Sequence, residues 1–226
     1  MGGGASIQEE LKKPPDASDC NDYVSEVKRL RLLIQQRGTI EVQSDIPKVT
    51  FLAEKLRKSA AQNDLASVKA HIAAACKDTS KLDESNEDLE TALHLSAQNG
   101  YSSIVQCLLE AGSSTDKKDD YGFTPFRHIA GAPASKLTDG HIECAKLLCA
   151  AKADCNVVCD YGWTPLMKAC EMGHLDLVKI FCEKSNVNIN MKENGGETAL
   201  DKASTKEFNE IIEYLLSQGA IESSQD

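Results

Sequence analysis

Four closely spaced cysteines carry the strongest chemical signal in the sequence: Cys144, Cys149, Cys155 and Cys159. A structural zinc site needs Cys-x2-4-Cys pairs that converge on one tetrahedral centre. Here four, five and three residues separate successive cysteines, which matches that spacing only loosely. A metal site is therefore the remote alternative, and we interpret the cluster as small buried hydrophobic residues. Cys159, which falls in a predicted loop, and Cys20 are the candidate reactive thiols.

No other set of residues predicts a reaction. His71 and His128 have no serine or cysteine nucleophile motif around them. The other three histidines fall at positions of a repeated pattern, where we expect structural roles: His94, His141 and His174. The run Gly2-Gly3-Gly4 lacks the strand and helix that flank a phosphate-binding loop. We therefore predict a chain that is not an enzyme and that holds no metal and no cofactor.

The first six residues, MGGGAS, match the pattern for N-myristoylation of Gly2. The alternative is an unmodified flexible end. One acyl chain binds a membrane only marginally, so a stable tether needs a second signal. Lys12-Lys13, acylation of Cys20 and the basic stretch Lys28–Arg31 could each supply it. An N-myristoylated membrane-tethering adaptor is thus one hypothesis for the function.

Composition narrows the classes of protein further. The formal net charge of −10 disfavours nucleic-acid binding, because no local basic patch offsets it. The nine cysteines form an odd number, and no signal-peptide pattern is present, so we expect reduced thiols in the cytoplasm, with the nucleus as an alternative. Only 5% of residues are aromatic, which favours packing of small-residue helices.

Residues 1–46 form a predicted N-terminal extension. Its first 20 residues, rich in Gly, Pro, Asp and Ser, indicate disorder. Residues 21–37 predict an amphipathic helix, because Tyr23, Val27, Leu30 and Ile34 recur at helical spacing. That helix either covers the exposed end of the following domain or contacts a partner or a membrane.

The elements that position these residues are short helix pairs. Residues 161–182 contain helix, turn and helix, and such short helices need neighbours to bury their apolar faces. Threonines that begin similar units stand at positions 91, 124, 164 and 198, at intervals of 33, 40 and 34 residues. An insertion at 131–139 accounts for the longer interval. The period therefore continues through the chain.

A period near 33, Thr-Pro-Leu at a helix start and Gly between the helices resemble the ankyrin repeat family. The resemblance implies an all-α solenoid of antiparallel helix pairs joined by hairpin loops. It covers residues 47–222, as repeats at about 47–86, 87–118, 119–158, 159–192 and 193–222, with a tail at 223–226.

Several residues have roles that follow from the repeat. Gly100, Gly140 and Gly173 are expected to reverse the chain between the helices of a pair. Glu207 stands where the family usually has glycine.

The family's histidine at the helix start is present as His94. The resemblance implies that this side chain bridges to the neighbouring loop. Arg127, Met167 and Asp201 replace it in later repeats, which puts the bridge there in doubt.

In this family partners are usually bound by the loop tips and by the concave face of the inner helices. The matching residues are Glu87, Asp88, Glu90, Gln98 and Asn99 in the second repeat, Asp120, Tyr121 and Phe123 in the third, Asp160, Tyr161, Trp163, Glu171 and Met172 in the fourth, and Asn194 and Glu197 in the fifth. Exposed aromatic residues beside acidic ones predict a protein partner with basic and apolar features. The alternative is that Phe123 and Trp163 merely pack on adjacent loops. We therefore expect a monomeric, non-catalytic scaffold or adaptor.

Overall fold

The computed structural model describes residues 49–75, 79–184 and 186–223, and all regular elements in these residues are helices. The α-helices are α1 Val49–Ala61, α2 Leu65–Ala74, α3 Ala92–Gln98, α4 Ser102–Ala111, α5 Pro125–Ala130, α6 Asp139–Ala150, α7 Pro165–Met172, α8 Leu175–Cys182, α9 Ala199–Thr205 and α10 Asn209–Ser217. Short 3-10 helices span Thr79–Asp83 and Ala134–Lys136. The predicted helix at 21–37 and Gly2, the predicted site of lipidation, lie outside the described residues.

The helices form two layers. Odd-numbered helices contact one another in chain order, from α1 to α9, and make the inner layer. Even-numbered helices do the same from α2 to α10 in the outer layer, and each inner helix packs against the outer helix that follows it. The predicted all-α solenoid of helix pairs is therefore confirmed.

The core between the layers is apolar and closely packed. Phe126 on α5 and Phe181 on α8 are fully buried, with their rings edge to face and their centroids 5.3 Å apart. The inner-helix alanines Ala97, Ala130 and Ala169 are also fully buried. Because other atoms enclose all three, we expect larger side chains at these positions to overpack the core.

Threonine caps explain where the inner helices begin. Oγ1 of the threonine before the helix accepts a hydrogen bond from the backbone N–H three residues later, at Thr91, Thr124, Thr164 and Thr198. This is the N-cap arrangement, which satisfies one of the unpaired amides of the first turn.

The third residue after the cap reaches back to it in different ways. His94 Nδ1 accepts from the Thr91 N–H at 3.2 Å, and Asp201 Oδ2 accepts from the Thr198 N–H at 2.6 Å. Met167 Sδ accepts from the Thr164 N–H at 3.4 Å. Met167 and Asp201 thus replace the hydrogen bond that the histidine makes at the cap. His94 makes a further hydrogen bond to the next loop.

One predicted glycine role is wrong. Gly100 and Gly173 lie in the turns between helices, with φ of +69° and +77°, as predicted. Gly140 instead lies in the first turn of α6, because the chain already reverses within the insertion at 131–139, before the helix continues from Asp139. A Cβ on Gly140 would stand 2.2 Å from the carbonyl oxygen of Gly100. Gly140 is therefore required for the close approach of two repeats.

A ladder of Asp and Asn side chains joins successive repeats on the outer side. Each side-chain oxygen accepts a hydrogen bond from a backbone N–H beyond the next outer helix. The pairs are Asp83 with Ser114, Asp116 with Asp154, Asn156 with Asn188, and Asn190 with Ile221, at 2.7–3.0 Å. The four acceptors recur at 33, 40 and 34 residues, the same intervals as the threonine caps.

Candidate partner-binding surface

Four hairpin loops, called fingers below, precede the inner helices α3, α5, α7 and α9. They comprise residues 86–90, 119–123, 159–163 and 193–197. In each finger the N–H of the first residue bonds to the carbonyl of the fifth, and the N–H of the fourth bonds to the carbonyl of the first. The fourth residue has positive φ in every finger, as Leu89, Gly122, Gly162 or Gly196. The fingers therefore share one turn geometry.

Adjacent fingers are hydrogen-bonded to each other. The second residue of one finger donates its N–H to the third residue of the preceding finger, from Asp120 to Asp88, Asp160 to Tyr121 and Asn194 to Tyr161, at 3.1–3.4 Å. Gly122 allows this approach, because a Cβ there would meet Asp160 Oδ1 at 2.7 Å. The four fingers thus form one continuous surface.

Three large apolar side chains project from this surface. Leu89, Tyr121 and Tyr161 are 49%, 55% and 63% exposed, respectively. They belong to three successive fingers that are bonded to one another. Large side chains gathered in this way mark a binding surface better than isolated exposed residues do.

The aromatic residues at the base of the fingers are half-buried. Phe123 stacks on Tyr121, with centroids 5.7 Å apart, and the Arg127 guanidinium lies 4.4 Å from the centre of the Phe123 ring. Lys202 Nζ lies 4.2 Å from the centre of the Trp163 ring. These contacts favour the packing interpretation of Phe123 and Trp163. The tyrosines at the tips are more accessible than these two rings.

Acidic side chains surround the tips. Glu87, Asp88, Asp120 and Asp160 are exposed and make no ion pair within the described residues. In the fourth finger the situation differs, because Lys202 pairs with Glu193 at 3.7 Å and also with Glu197. Uncompensated negative charge is thus concentrated on the first three fingers.

The remaining predicted site residues divide into two groups. Gln98 and Asn99 are exposed at the end of α3. Half-buried Glu171 is paired with Lys168 at 2.5 Å, and Met172 is also half-buried. Half-buried Glu90 accepts from Asn86, and Asn194 donates to the carbonyl of Asp160. The contacts of Glu90, Glu171 and Asn194 help to hold the fingers and α7 in place.

A buried polar cluster supports the second of these fingers. Asp119 Oδ1 accepts from the N–H groups of Tyr121 and Phe123, and Oδ2 lies 2.8 Å from His128 Nε2. Burial opposes ionisation of Asp119, but these hydrogen bonds outweigh it and lower its pKa. A charged carboxylate thus fixes the finger that carries Tyr121.

His94 connects the second repeat to the finger of the third repeat. Its Nδ1 accepts from Thr91, so the neutral ring carries its proton on Nε2 and donates to the Phe123 carbonyl at 3.1 Å. Burial, together with nearby His128, lowers the pKa of His94 to about 4. His141 and His174 likewise bond to carbonyls of the preceding repeats, at Gln98 and Ala132. Their structural use is as predicted.

The cysteines depart from the sequence prediction at two points. Cys159 is only 5% exposed, so it is not the accessible loop thiol that was expected, whereas Cys149 is partly exposed. Cys107 is buried and is disulfide-bonded, which contradicts the expectation of reduced thiols at this residue. Across the described ranges, no group of three or more His, Cys, Asp or Glu side chains could hold a metal ion.

Sequence reasoning missed three contributors to the site, namely Leu89 on the first finger and two basic residues beside the aromatic rings. Lys202, from α9, covers the only tryptophan in the sequence, and Arg127 covers Phe123. Arg127 and Lys202 lie three and four positions after a threonine cap, so the sequence shows where each stands in its repeat. The sequence does not show which ring each one covers, because the rings belong to loops.

In the part of the chain that the structure describes, no helix is long and apolar enough to cross a membrane.

Comparison with known proteins agrees with this architecture. A family model described as ankyrin repeats (3 copies) matches residues 56–154 and 132–226. The chain is 29% identical over 167 residues to the ankyrin repeat protein YahD of Escherichia coli, which covers 72% of this chain and 78% of YahD. It is 30% identical over 123 residues to the 26S proteasome regulatory subunit p28 of Saccharomyces cerevisiae, covering 54% of this chain and 51% of p28.

A third relative contains similar repeats within a much larger protein. Human SH3 and multiple ankyrin repeat domains protein 2 is 35% identical over 94 residues, which is 42% of this chain and 5% of that protein. Ankyrin repeats are generally non-enzymatic modules for protein interaction. Because the family match spans the helix pairs described above, this chain belongs to the ankyrin repeat family.

Proposed function

We propose that this protein is a non-catalytic scaffold or adaptor whose fingers bind one segment of a partner protein. The observation that carries the proposal is the exposure of Tyr121 and Tyr161 on adjacent fingers, beside four carboxylates that make no ion pair with any residue the structure describes. Tyrosine supplies a large contact area with few rotatable bonds and is enriched among residues that dominate binding energy.

The charge of the surface specifies the chemistry of the partner. Glu87, Asp88, Asp120 and Asp160 would attract Lys or Arg, while the tyrosines and Leu89 would contact an apolar side chain of the same segment. Hydrogen bonds between the fingers fix the surface before binding, so little ordering entropy is lost on association. A segment that alternates basic and apolar residues therefore fits best.

The test is quantitative capture of interactors by the immobilised full chain, followed by tiling of each captured protein into peptides. The double variant Tyr121→Ala and Tyr161→Ala should weaken binding of the responsible peptide by about 1–3 kcal/mol. Binding should also weaken as salt is raised, because exposed charges are screened.

Leu216→Ala is a matched control, because Leu216 is also a large exposed apolar residue, 52% accessible, but lies on α10. It should leave binding unchanged. If the tyrosine variant retains every interactor at wild-type affinity, or if the bound peptides are acidic, the fingers are not the site.

A membrane tether is a second proposal, which rests on the MGGGAS start of the sequence. Acylation of Gly2 would place the protein and its bound partner at a membrane, and without it a cytoplasmic location is proposed. Metabolic labelling with a myristate analogue should label the wild type and not Gly2→Ala. Absence of label on the wild type would remove this proposal and leave the finger proposal intact.

A further inference from the structure

Leu89 has an unusual backbone conformation on the first finger. Its φ is +59°, in the left-handed region that favours glycine, and the equivalent residue of the other three fingers is Gly122, Gly162 or Gly196. A residue with a Cβ is strained in this region, because the Cβ crowds the following carbonyl oxygen. The turn itself does not require leucine, and glycine would form it without this strain.

Asn86 holds Leu89 in this conformation through hydrogen bonds. The Asn86 carbonyl accepts from the Leu89 N–H at 3.1 Å, and Oδ1 of Asn86 accepts from the Glu90 N–H at 2.7 Å. Nδ2 of Asn86 donates to Oε2 of Glu90 at 3.0 Å. Backbone strain persists where surrounding contacts fix it in this way, and strained residues are concentrated at sites that bind ligands.

Leu89 differs from the other residues with this backbone strain. Within the described ranges, the other non-glycine residues with positive φ are Asn63, Lys152 and Glu207. All three are polar and exposed at the surface. Leu89 is the apolar member of this group, and it is 49% exposed. Neither the geometry of the turn nor burial in the core therefore explains a leucine here.

The first finger also carries its apolar side chain at a different position. The third residue is Tyr121 in the second finger and Tyr161 in the third, but it is Asp88 in the first. Leu89 follows directly after the carboxylates of Glu87 and Asp88, and both of these residues are exposed. A partner must therefore match an acidic pair beside an aliphatic side chain at this finger.

We propose that Leu89 is a specificity-determining residue of the finger surface, and that it selects a partner segment with an aliphatic side chain next to Lys or Arg. This inference rests on the proposed function. The aliphatic side chain would cover the exposed part of Leu89, while the cation would lie against Glu87 and Asp88. Glycine at this position would remove both the strain and the contact, so stability and binding can be measured separately.

Three substitutions separate the strain from the contact. Leu89→Gly and Leu89→Ala both remove the side chain beyond Cβ, but only alanine keeps the strained Cβ. Leu89→Met keeps an apolar side chain of similar volume. In thermal unfolding followed by circular dichroism, Leu89→Gly should melt about 2–4 °C above Leu89→Ala, because glycine is free of the left-handed strain.

Binding is measured with the full chain and a set of synthetic peptides that carry Lys and Leu in adjacent or separated positions. For the peptide that binds the wild type most tightly, Leu89→Gly and Leu89→Ala should both weaken binding about ten-fold, because the apolar contact is lost. Leu89→Met should bind within about two-fold of the wild type. Replacement of the peptide's Leu by Ala should weaken binding to the wild type and leave binding to Leu89→Gly unchanged.

Ile221→Ala is the matched control, since Ile221 is a 63% exposed aliphatic residue that follows α10. It should leave peptide affinity unchanged. If Leu89 serves packing alone, Leu89→Gly lowers the melting temperature and keeps wild-type affinity. That result, together with lost binding in the double variant Tyr121→Ala and Tyr161→Ala, would overturn this inference and leave the proposed function intact. Wild-type affinity in both would remove the proposed function as well.

Other occupants of the first finger would give different results. Tighter peptide binding by Leu89→Gly would mean that a segment of the chain itself covers Leu89. A change in the mass measured by light scattering would mean that a second copy of the chain does. Either result would overturn the inference, and so would a peptide set in which no member binds the wild type.

Discussion

Replacement of Gly140 by alanine tests the contact between the second and third repeats. Inside an α-helix this change normally stabilises a protein by about 0.8–1.0 kcal/mol, because glycine is a poor helix former. Gly140 is in the first turn of α6 and has no positive φ, so its backbone alone would accept alanine. The structure nevertheless predicts the opposite sign.

The magnitude follows from one distance. The added Cβ would lie 2.2 Å from the Gly100 carbonyl oxygen, whereas ordinary contacts begin at 3.4 Å. The obstructing atom belongs to the backbone of another repeat, so the two repeats must separate. Overpacking costs about 1–3 kcal/mol, and such a short contact with backbone lies at the upper end. After the helix-propensity gain is subtracted, the free energy of unfolding should fall by about 1–2 kcal/mol.

Urea unfolding followed by circular dichroism at 222 nm measures this change. Glu143→Ala is the matched control, since Glu143 is exposed on the same helix, and it should change stability by less than about 0.5 kcal/mol. Because stability in a repeat array depends on the interfaces between neighbours, the Gly140 variant should also show a broader transition. A Gly140→Ala variant as stable as wild type or more so would refute the reasoning.

Two further predictions concern residues beside the fingers. His94 is neutral in the fold with a pKa of about 4, below its unfolded value of 6.5, so stability is lost as pH falls from 6.5 to 4. The free energy of unfolding should fall by up to about 3 kcal/mol. Unfolding curves at pH 7 and pH 4 measure this fall, which should be smaller in His94→Gln than in the wild type. An equal fall in the two proteins would contradict the prediction. Lys202→Ala removes the lysine that covers the Trp163 ring and should shift tryptophan emission to longer wavelength. Lys206→Ala, which removes an exposed lysine, should leave the emission unchanged. An unshifted Lys202→Ala spectrum would mean that the lysine does not shield the ring.

The sequence was sufficient for the helix pairs because their signals are local. Threonine caps and apolar spacing act within one or two turns, and the helix, turn and helix predicted at 161–182 match α7 and α8. The position of Glu207 was also predictable, since it replaces a turn glycine and takes φ of +59°. Such features depend on the backbone of one repeat only.

Contacts between repeats were harder to predict. The role of Gly140 depends on Gly100, 40 residues earlier, and the insertion hides that relation. Exposure of Trp163 likewise depends on Lys202, which belongs to the next repeat. The tip tyrosines were identified correctly as surface residues, because their position in the finger is itself a repeated one. Whether they bind a partner stays a prediction.

The insertion in the third repeat offers a place where chain length can change freely. Its start is anchored by the Ala132 carbonyl, which accepts from His174 at 2.7 Å, and its end by Thr138, whose N–H bonds to His141. Between these anchors residues 133–136 are exposed. Helix stacking therefore does not depend on them, and an affinity tag or a fluorescent label inserted there could report on the assembly without disturbing the fingers.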